Sequence, residues 1–191
     1  MRIYLDHNAT SPLRAEARAA MIAAMDVVGN PSSVHAEGRA AKSLMERARA
    51  DVAEALGAAE ADIVFTSGAT EAAGLACAGR DLVGAAVEHD AVGAWVRDAL
   101  AVDAQGRVTV EDAGASVLQL ANSETGVLQN VPAGIAVCDM TQVFGKMPLD
   151  FMASGARMAL VSAHKLGGPK GIGALVLRRG QEVPAQIKGG G

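Results

Sequence analysis

DIVFTSGATEAAGLACAG, residues 62–79, decides the fold. A run rich in β-branched and aromatic residues, DIVFT, passes through a turn of small residues, SGAT, into the alanine-rich stretch EAAGLACAG. The first composition suits a strand and the last a helix. The same rhythm continues downstream. DLVGAAV (81–87) and HDAVGAWVRDAL (89–100) read as another strand and helix, and SVLQLA (116–121), IAVCDM (135–140), RMALVSA (157–163) and GALVLRR (173–179) as further buried strands. Strands alternating with helices predict an α/β fold, a mostly parallel sheet sandwiched by helices.

Upstream of that stretch, Ile3–Leu5 reads as a short strand running into the turn DHNATSP. Ala17, Met21, Met25 and Val28 recur at helical spacing, with Gly29 as the stop. Met45, Ala48, Val52 and Leu56 repeat that spacing after the turn NPSS, and Gly57 ends the second helix.

Bulk properties bound the function. The 191 residues are 50% hydrophobic but only 3% aromatic, so the core is built from Ala, Val, Leu, Ile and Met, with 22 glycines marking turns. A net charge of -4 is unlike the basic stripe of a nucleic-acid binder. Cys77 and Cys138 cannot make a disulfide framework, match no zinc spacing and sit in apolar runs, which predicts buried thiols and no metal. The N-terminus MRIYLDHNAT lacks an apolar leader, and no run approaches the ~18 apolar residues of a membrane span. A cytoplasmic protein away from membranes is the expectation.

In a parallel α/β sheet the ligand sits beyond the carboxyl ends of the strands, so the polar residues that follow each strand are the ones to collect. Ser67, Gly68, Ala69 and Thr70 follow DIVFT, a loop without side-chain bulk whose N–H groups lead into a helix, which makes either an anion site or an ordinary cap. Glu88, His89 and Asp90 follow the second strand; Asn122, Ser123 and Glu124 follow the third. Asp139 and Gln142 follow IAVC, and an acid leaving an apolar strand needs a cation to meet it. Ser162, His164 and Lys165 follow RMALV and open the glycine-rich stretch SAHKLGGPKGIGAL (162–175).

A lysine beside a histidine before such a turn suits a phosphate cradle, a basic patch or covalent chemistry. The P-loop order, glycines before a lysine followed by Ser or Thr, is absent. Pyridoxal phosphate (PLP) chemistry uses all these residue types at once: an amine for the aldehyde, an acid at the pyridine nitrogen, a ring stacked on its face, and a small-residue loop at a helix N-terminus for the phosphate.

The motifs YLDHNATSP, GNPSSVH, FTSGATEA, EHDAV, LANSETGVLQ, DMTQVFGKMPLD and SAHKLGGPKGIGAL, in this order, resemble those of PLP-dependent cysteine desulfurases of the Fe–S assembly type, in the class V aminotransferase family. The resemblance spans essentially the whole chain. It implies the large domain of the aspartate-aminotransferase-like fold over residues 1–191, with the C-terminal small domain absent. It implies that Lys165 is the Schiff-base lysine, that Asp139 pairs with the pyridinium nitrogen, and that Gln142 bonds the ring oxygen. His89 would stack on the ring and take part in catalysis, and Asn122 would lie beside ring and substrate. Ala69, Thr70, Ser162 and His164 would hold the phosphate, leaving Lys146 and Lys170 as bystanders. The implied substrate is L-cysteine or a related amino acid, the implied assembly a homodimer, and the implied partner a sulfur-acceptor or scaffold protein.

Several features depart from the family pattern. Members are about twice this length, and their catalytic cysteine, their carboxylate-binding arginine and their partner-subunit phosphate ligand all follow the point where GGG ends this chain. Neither Cys77 nor Cys138 occupies the position of that cysteine. The stretches before EHDAV, between Trp95 and Val117, and between Val131 and Cys138 are shorter than in the relatives. Other PLP chemistry on the same scaffold (an aminotransferase or β-lyase), a non-catalytic remnant that binds a partner, and a nucleotide-binding α/β protein therefore stand as alternatives.

Overall fold

The computed structural model describes residues 3–189. Its centre is a five-stranded sheet in the order β1-β7-β6-β5-β4, formed by β1 (Ala61–Thr66), β4 (Val117–Gln119), β5 (Val137–Asp139), β6 (Met158–Ser162) and β7 (Gly173–Arg178). β4, β5 and β6 run parallel, while β7 lies antiparallel between β6 and β1. β7 reverses because the chain turns back directly after β6, where the Ala163 amide donates to the Ile172 carbonyl at 3.1 Å.

The strands are apolar on both faces, and alternate residues feed two separate cores. Met158 and Leu160 of β6, with Leu175 and Leu177 of β7, join the core beneath helix α3 (Ala69–Cys77). Ala159, Val161, Ala174 and Val176 point the other way and meet Leu56, Phe144 and Phe151. Leu56 caps α2 (Ala36–Ala55), and Phe151 opens the short helix α5 (Phe151–Ser154). Both faces are thus covered, as the continuous apolar runs require. Gly57 ends α2 in the left-handed region at φ +60, a conformation open to glycine at little cost.

Three expectations change. Ile3–Leu5 forms no strand: Ile3 and Leu5 are exposed, and the Tyr4 hydroxyl donates to the Asp6 and Thr10 carbonyls at 2.7 and 2.9 Å, coiling the segment back on itself. Helix α1 (Ala15–Met25) forms, but Met25 and Val28 are 75% and 78% exposed rather than part of a buried face. The 81–100 region gives a two-residue strand, β2 (Val83–Gly84), a single helical turn, α4 (Asp90–Gly93), and a second short strand, β3 (Arg97–Asp98). The helix stops early because the chain returns from Trp95 to pair β3 with β2 in parallel, and that ladder takes the amides a longer helix would use.

β2 extends the main sheet through one bridge only, Val83 to Ser116 at the start of β4, and then diverges. The link between parallel neighbours β4 and β5 carries no helix; it is a loop that bridges Ala121 to Leu128 and turns at Pro132–Ile135.

Candidate active site

The carboxyl ends of β1, β4, β5 and β6 open into one pocket of about 610 Å3. Lys165 enters it from a single 3-10 turn, Ala163–Lys165, that follows β6. The loop behind the turn must bend sharply. Gly167 has φ +89, and a Cβ there would stand 2.5 Å from the Arg14 side chain. At the start of β7, a Cβ on Gly173 would lie 2.7 Å from Gly68 Cα, so glycine lets the Lys165 loop and the Gly68 loop close on each other.

The N-terminal loop covers this turn. Ser11 donates from its amide to the His164 carbonyl at 2.8 Å and from its hydroxyl to the Lys165 carbonyl at 2.9 Å. The Lys165 Nζ donates to the Asn8 and Ala9 carbonyls at 2.7 and 3.0 Å. Gln142 Nε2 donates to the same Asn8 carbonyl at 2.9 Å, while its Oε1 accepts from Lys146 at 2.6 Å. Lys146 therefore sets which way the Gln142 amide faces. Lys170 stands exposed on the pocket lining.

Asp139 closes β5 and lines the pocket floor. Its Oδ1 accepts from the Thr141 amide at 2.9 Å, and it has no partner among the described ion pairs. Burial pushes its carboxyl up, while the Thr141 bonds and the charges of His89 and Lys165 pull it down. Burial wins and the carboxyl is raised on balance, so a cation brought against this acid would bring it back down.

The opposite end suits an anion. Helix α3 starts at Gly68 with no side-chain cap, so its first amides open toward Ser67, Gly68, Ala69 and Thr70 on the pocket wall. Ser162, buried at the end of β6, and His164 line the same side. His164 Nδ1 lies 3.1 Å from the Thr10 hydroxyl, and burial, followed by Lys165 and Lys170, pushes its imidazole down.

His89 is an exposed pocket residue at the start of α4, where its Nδ1 accepts from the Ala91 amide at 3.1 Å. Asn122 stands apart from the lining. Its Oδ1 accepts from the Glu124 and Thr125 amides at 2.9 and 2.8 Å, and its Nδ2 donates to the Val87 carbonyl at 3.0 Å. The structure gives Asn122 the work of closing a turn, and its neighbour Ser123 reaches the pocket instead. Asn8, Ala9, Thr10, Gln119 and Thr141 were absent from the sequence-derived set; the only signal for the first three is the polar, turn-rich DHNATSP.

Both cysteines are buried. Burial pushes the Cys77 thiol up to about 11 and raises that of Cys138 as well, with Asp139 and Glu88 adding to the latter. No group of His, Cys, Asp and Glu suited to a metal ion occurs among the described residues, and no helix among them is long and apolar enough to cross a membrane.

Residues 3–191 match the aminotransferase class-V family. The chain belongs to that family. A cysteine desulfurase of Frankia sp. (strain EuIK1) is 37% identical over 236 aligned positions, covering 99% of this chain and 56% of the relative. An IscS-like cysteine desulfurase of Mycobacterium tuberculosis is 35% identical over 230 positions, covering 98% of this chain and 58% of the relative. Among solved structures, the NifS-like protein from Rickettsia africae superposes with a TM-score of 0.88 at 32% identity, covering all of this chain and 62% of that one. A structure described as SspA in complex with cysteine gives 0.85 at 28% identity, with 99% and 65% covered. The chain thus spans little more than half the length of its curated relatives. The Frankia alignment has 236 positions against 191 residues here, so that relative carries interior segments this chain lacks, consistent with the two-residue strands and the helix-free β4–β5 link.

Proposed function

We propose that residues 1–191 form the PLP-binding large domain of a cysteine desulfurase, which takes L-cysteine to L-alanine and passes the sulfur to an acceptor. One observation carries this reading: Lys165 and Asp139 line the same pocket, and that pocket ends at the uncapped N-terminus of α3. The residues fit the cofactor. A half-buried acid without a partner among the described ion pairs suits a pyridinium, free helix amides beside Ser162 and Thr70 suit a phosphate, and the Lys165 amine belongs to the same lining.

Ala69, Thr70, Ser162 and His164 would hold the phosphate, Asp139 the ring nitrogen, Gln142 the ring oxygen and His89 the ring face. When bound, PLP supplies an electron sink for the bonds of the substrate α-carbon. Lys165, released from the Asn8 and Ala9 carbonyls, would hold the cofactor, and its amine would move the proton at the substrate Cα. Asp139, drawn to its charged form by a protonated ring nitrogen, would hold that proton in place. Asn122 acts from behind, by holding Val87 and with it the His89 segment. The buried thiols of Cys77 and Cys138 are unsuited to receive sulfur, so the accepting thiol comes from outside these residues. The same reading makes the working unit a cytoplasmic homodimer that meets a sulfur-acceptor or scaffold protein.

The burial of both cysteines also supports a second reading, a β-lyase or aminotransferase on this scaffold. Incubation with PLP, borohydride reduction and peptide mapping test the shared part. The pyridoxyl label is expected on Lys165; label on Lys146 or Lys170, or none, overturns both readings. Release of sulfide and alanine from L-cysteine, against transfer of its amino group to a keto acid, separates the two.

A further inference from the structure

Glu88 is a buried carboxyl that none of the steps above uses. Its Oε1 accepts from the Gln119 amide at 3.2 Å, and its Oε2 has no hydrogen-bond partner. An acid in this state is costly to bury, and so its position needs a reason.

The sheet supplies the reason. At the end of β4 the Leu120 amide donates to the Asp139 carbonyl of β5 at 2.8 Å, so the neighbouring Gln119 amide faces the other way, toward β2. β2 has already diverged, its pairing with β4 limited to the Val83–Ser116 bridge. The side chain of Glu88 takes the acceptor place that a longer β2 would have filled. Two more bonds close the same gap: Gln119 Nε2 and Asn122 Nδ2 both donate to the Val87 carbonyl, at 2.7 and 3.0 Å. The segment fixed in this way leads directly to His89 on the pocket wall.

We propose that Glu88 is a positioning residue: by accepting the Gln119 amide at the frayed end of the β2–β4 ladder, it clamps residues 87–89 to β4 and sets where the His89 ring stands. The proposal rests on the reading of His89 as the ring-facing residue of the cofactor site. A carboxyl that keeps its proton performs this task without adding a second anion beside Asp139. Burial and Asp139 both push Glu88 that way, up to about 8.

The test uses the full chain without added cofactor, so it is independent of the lysine-labelling experiment. Glu88→Gln keeps an acceptor for Gln119, whereas Glu88→Met fills the space without one. NMR follows the His89 ring signals, assigned by their loss in His89→Ala, together with hydrogen exchange at the Gln119, Ala91 and Leu160 amides. In Glu88→Met the His89 signals should move, and exchange at Gln119 and Ala91 should accelerate roughly tenfold or more, the cost of an unpaired buried donor. Leu160, in the middle of β6, should keep its protection, and Glu88→Gln should leave the His89 signals where the parent has them, with no selective loss of protection at Gln119 or Ala91. Asn122→Ala removes one companion bond at a half-buried site and should also displace the His89 signals, which keeps the proposal open to failure if Glu88→Met does not fold. Unchanged His89 signals in Glu88→Met, or in Asn122→Ala where Glu88→Met does not fold, or an equal rise in exchange at all three amides, would overturn it. A missing label on Lys165 with displaced His89 signals would reject the cofactor reading and leave the clamp standing.

Discussion

Lys165 Nζ lies 2.7 Å from the carbonyl oxygen of Asn8, a residue 157 positions away in sequence. This bond, with its companion to Ala9, ties the N-terminal loop over the candidate site. Lys165→Ala should therefore abolish borohydride-stabilised labelling by PLP while lowering stability by only about 1 kcal/mol, the usual net worth of such bonds. Mass spectrometry and a urea titration check the two halves. A collapse of the fold would show that the lysine is chiefly structural.

Asp139→Asn keeps the volume of the side chain and an acceptor for Thr141 but removes the charge. Exchange of the α-proton of an added amino acid with deuterated solvent, followed by NMR on PLP-loaded protein, should slow by about 100-fold or more, as expected when a charge placed for the reaction is lost. The melting temperature should not fall, because an uncharged group is cheaper to bury at this position.

The phosphate end can be tested by leaving out the phosphate. Ser162→Ala combined with Thr70→Val should weaken PLP binding by roughly tenfold, in line with the loss of charge-assisted bonds. Binding of pyridoxal, which lacks the phosphate, should be unaltered. Equal weakening of both ligands would place these hydroxyls elsewhere in the site.

Glu88 gives the protein a pH dependence with a definite sign. Its carboxyl titrates near 4.5 when unfolded and is raised to about 8 in the fold, so the folded state holds more protons between those values. The contribution of Glu88 to stability is full below pH 4.5 and is lost as pH rises toward 8. Asp139, also raised by burial, acts in the same direction. Glu88→Gln should flatten most of the decline and stabilise the protein at pH 8 by on the order of 4–5 kcal/mol, from about 1.4 kcal/mol per pH unit across that span. Urea midpoints at pH 5, 6.5 and 8 measure the slope, and a parent protein that gains stability over this range would contradict the assignment.

Cys77 and Cys138 should resist an aromatic disulfide reagent in the native protein at pH 8 and react together once urea unfolds it. Both are buried with raised thiols, so little thiolate forms and access is closed. Rapid native labelling of either would reopen the question of an internal sulfur acceptor.

The strands that carry the core were legible because they are apolar except at their carboxyl ends: Val117–Gln119, Val137–Asp139, Met158–Ser162 and Gly173–Arg178 all lie within the runs read from composition. Lys165, Asp139, His89, Ser162, His164, Gln142 and Thr70 could be collected by one rule, that polar residues following a buried strand gather at one edge of a parallel sheet, and Ala69 came with the small-residue loop after DIVFT. Asn8 and Ala9 escaped that rule, because they follow no strand and reach the site only when their loop folds across the Lys165 turn. Asn122 satisfied the rule but spends its amide on a neighbouring turn, a choice made by local hydrogen bonding that spacing cannot show.

Local chemistry alone fixed the positions of the core strands, the glycine turn behind Lys165 and the types of side chain at the strand ends, since these depend on residues near in sequence. Tertiary structure decided the rest: that β7 runs antiparallel between β1 and β6, that β2 stops after two residues, and that Glu88 stands in for the missing ladder. Those outcomes turn on which backbone amides find partners across long separations, and a donor facing a diverging strand takes whatever buried acceptor the fold brings to it.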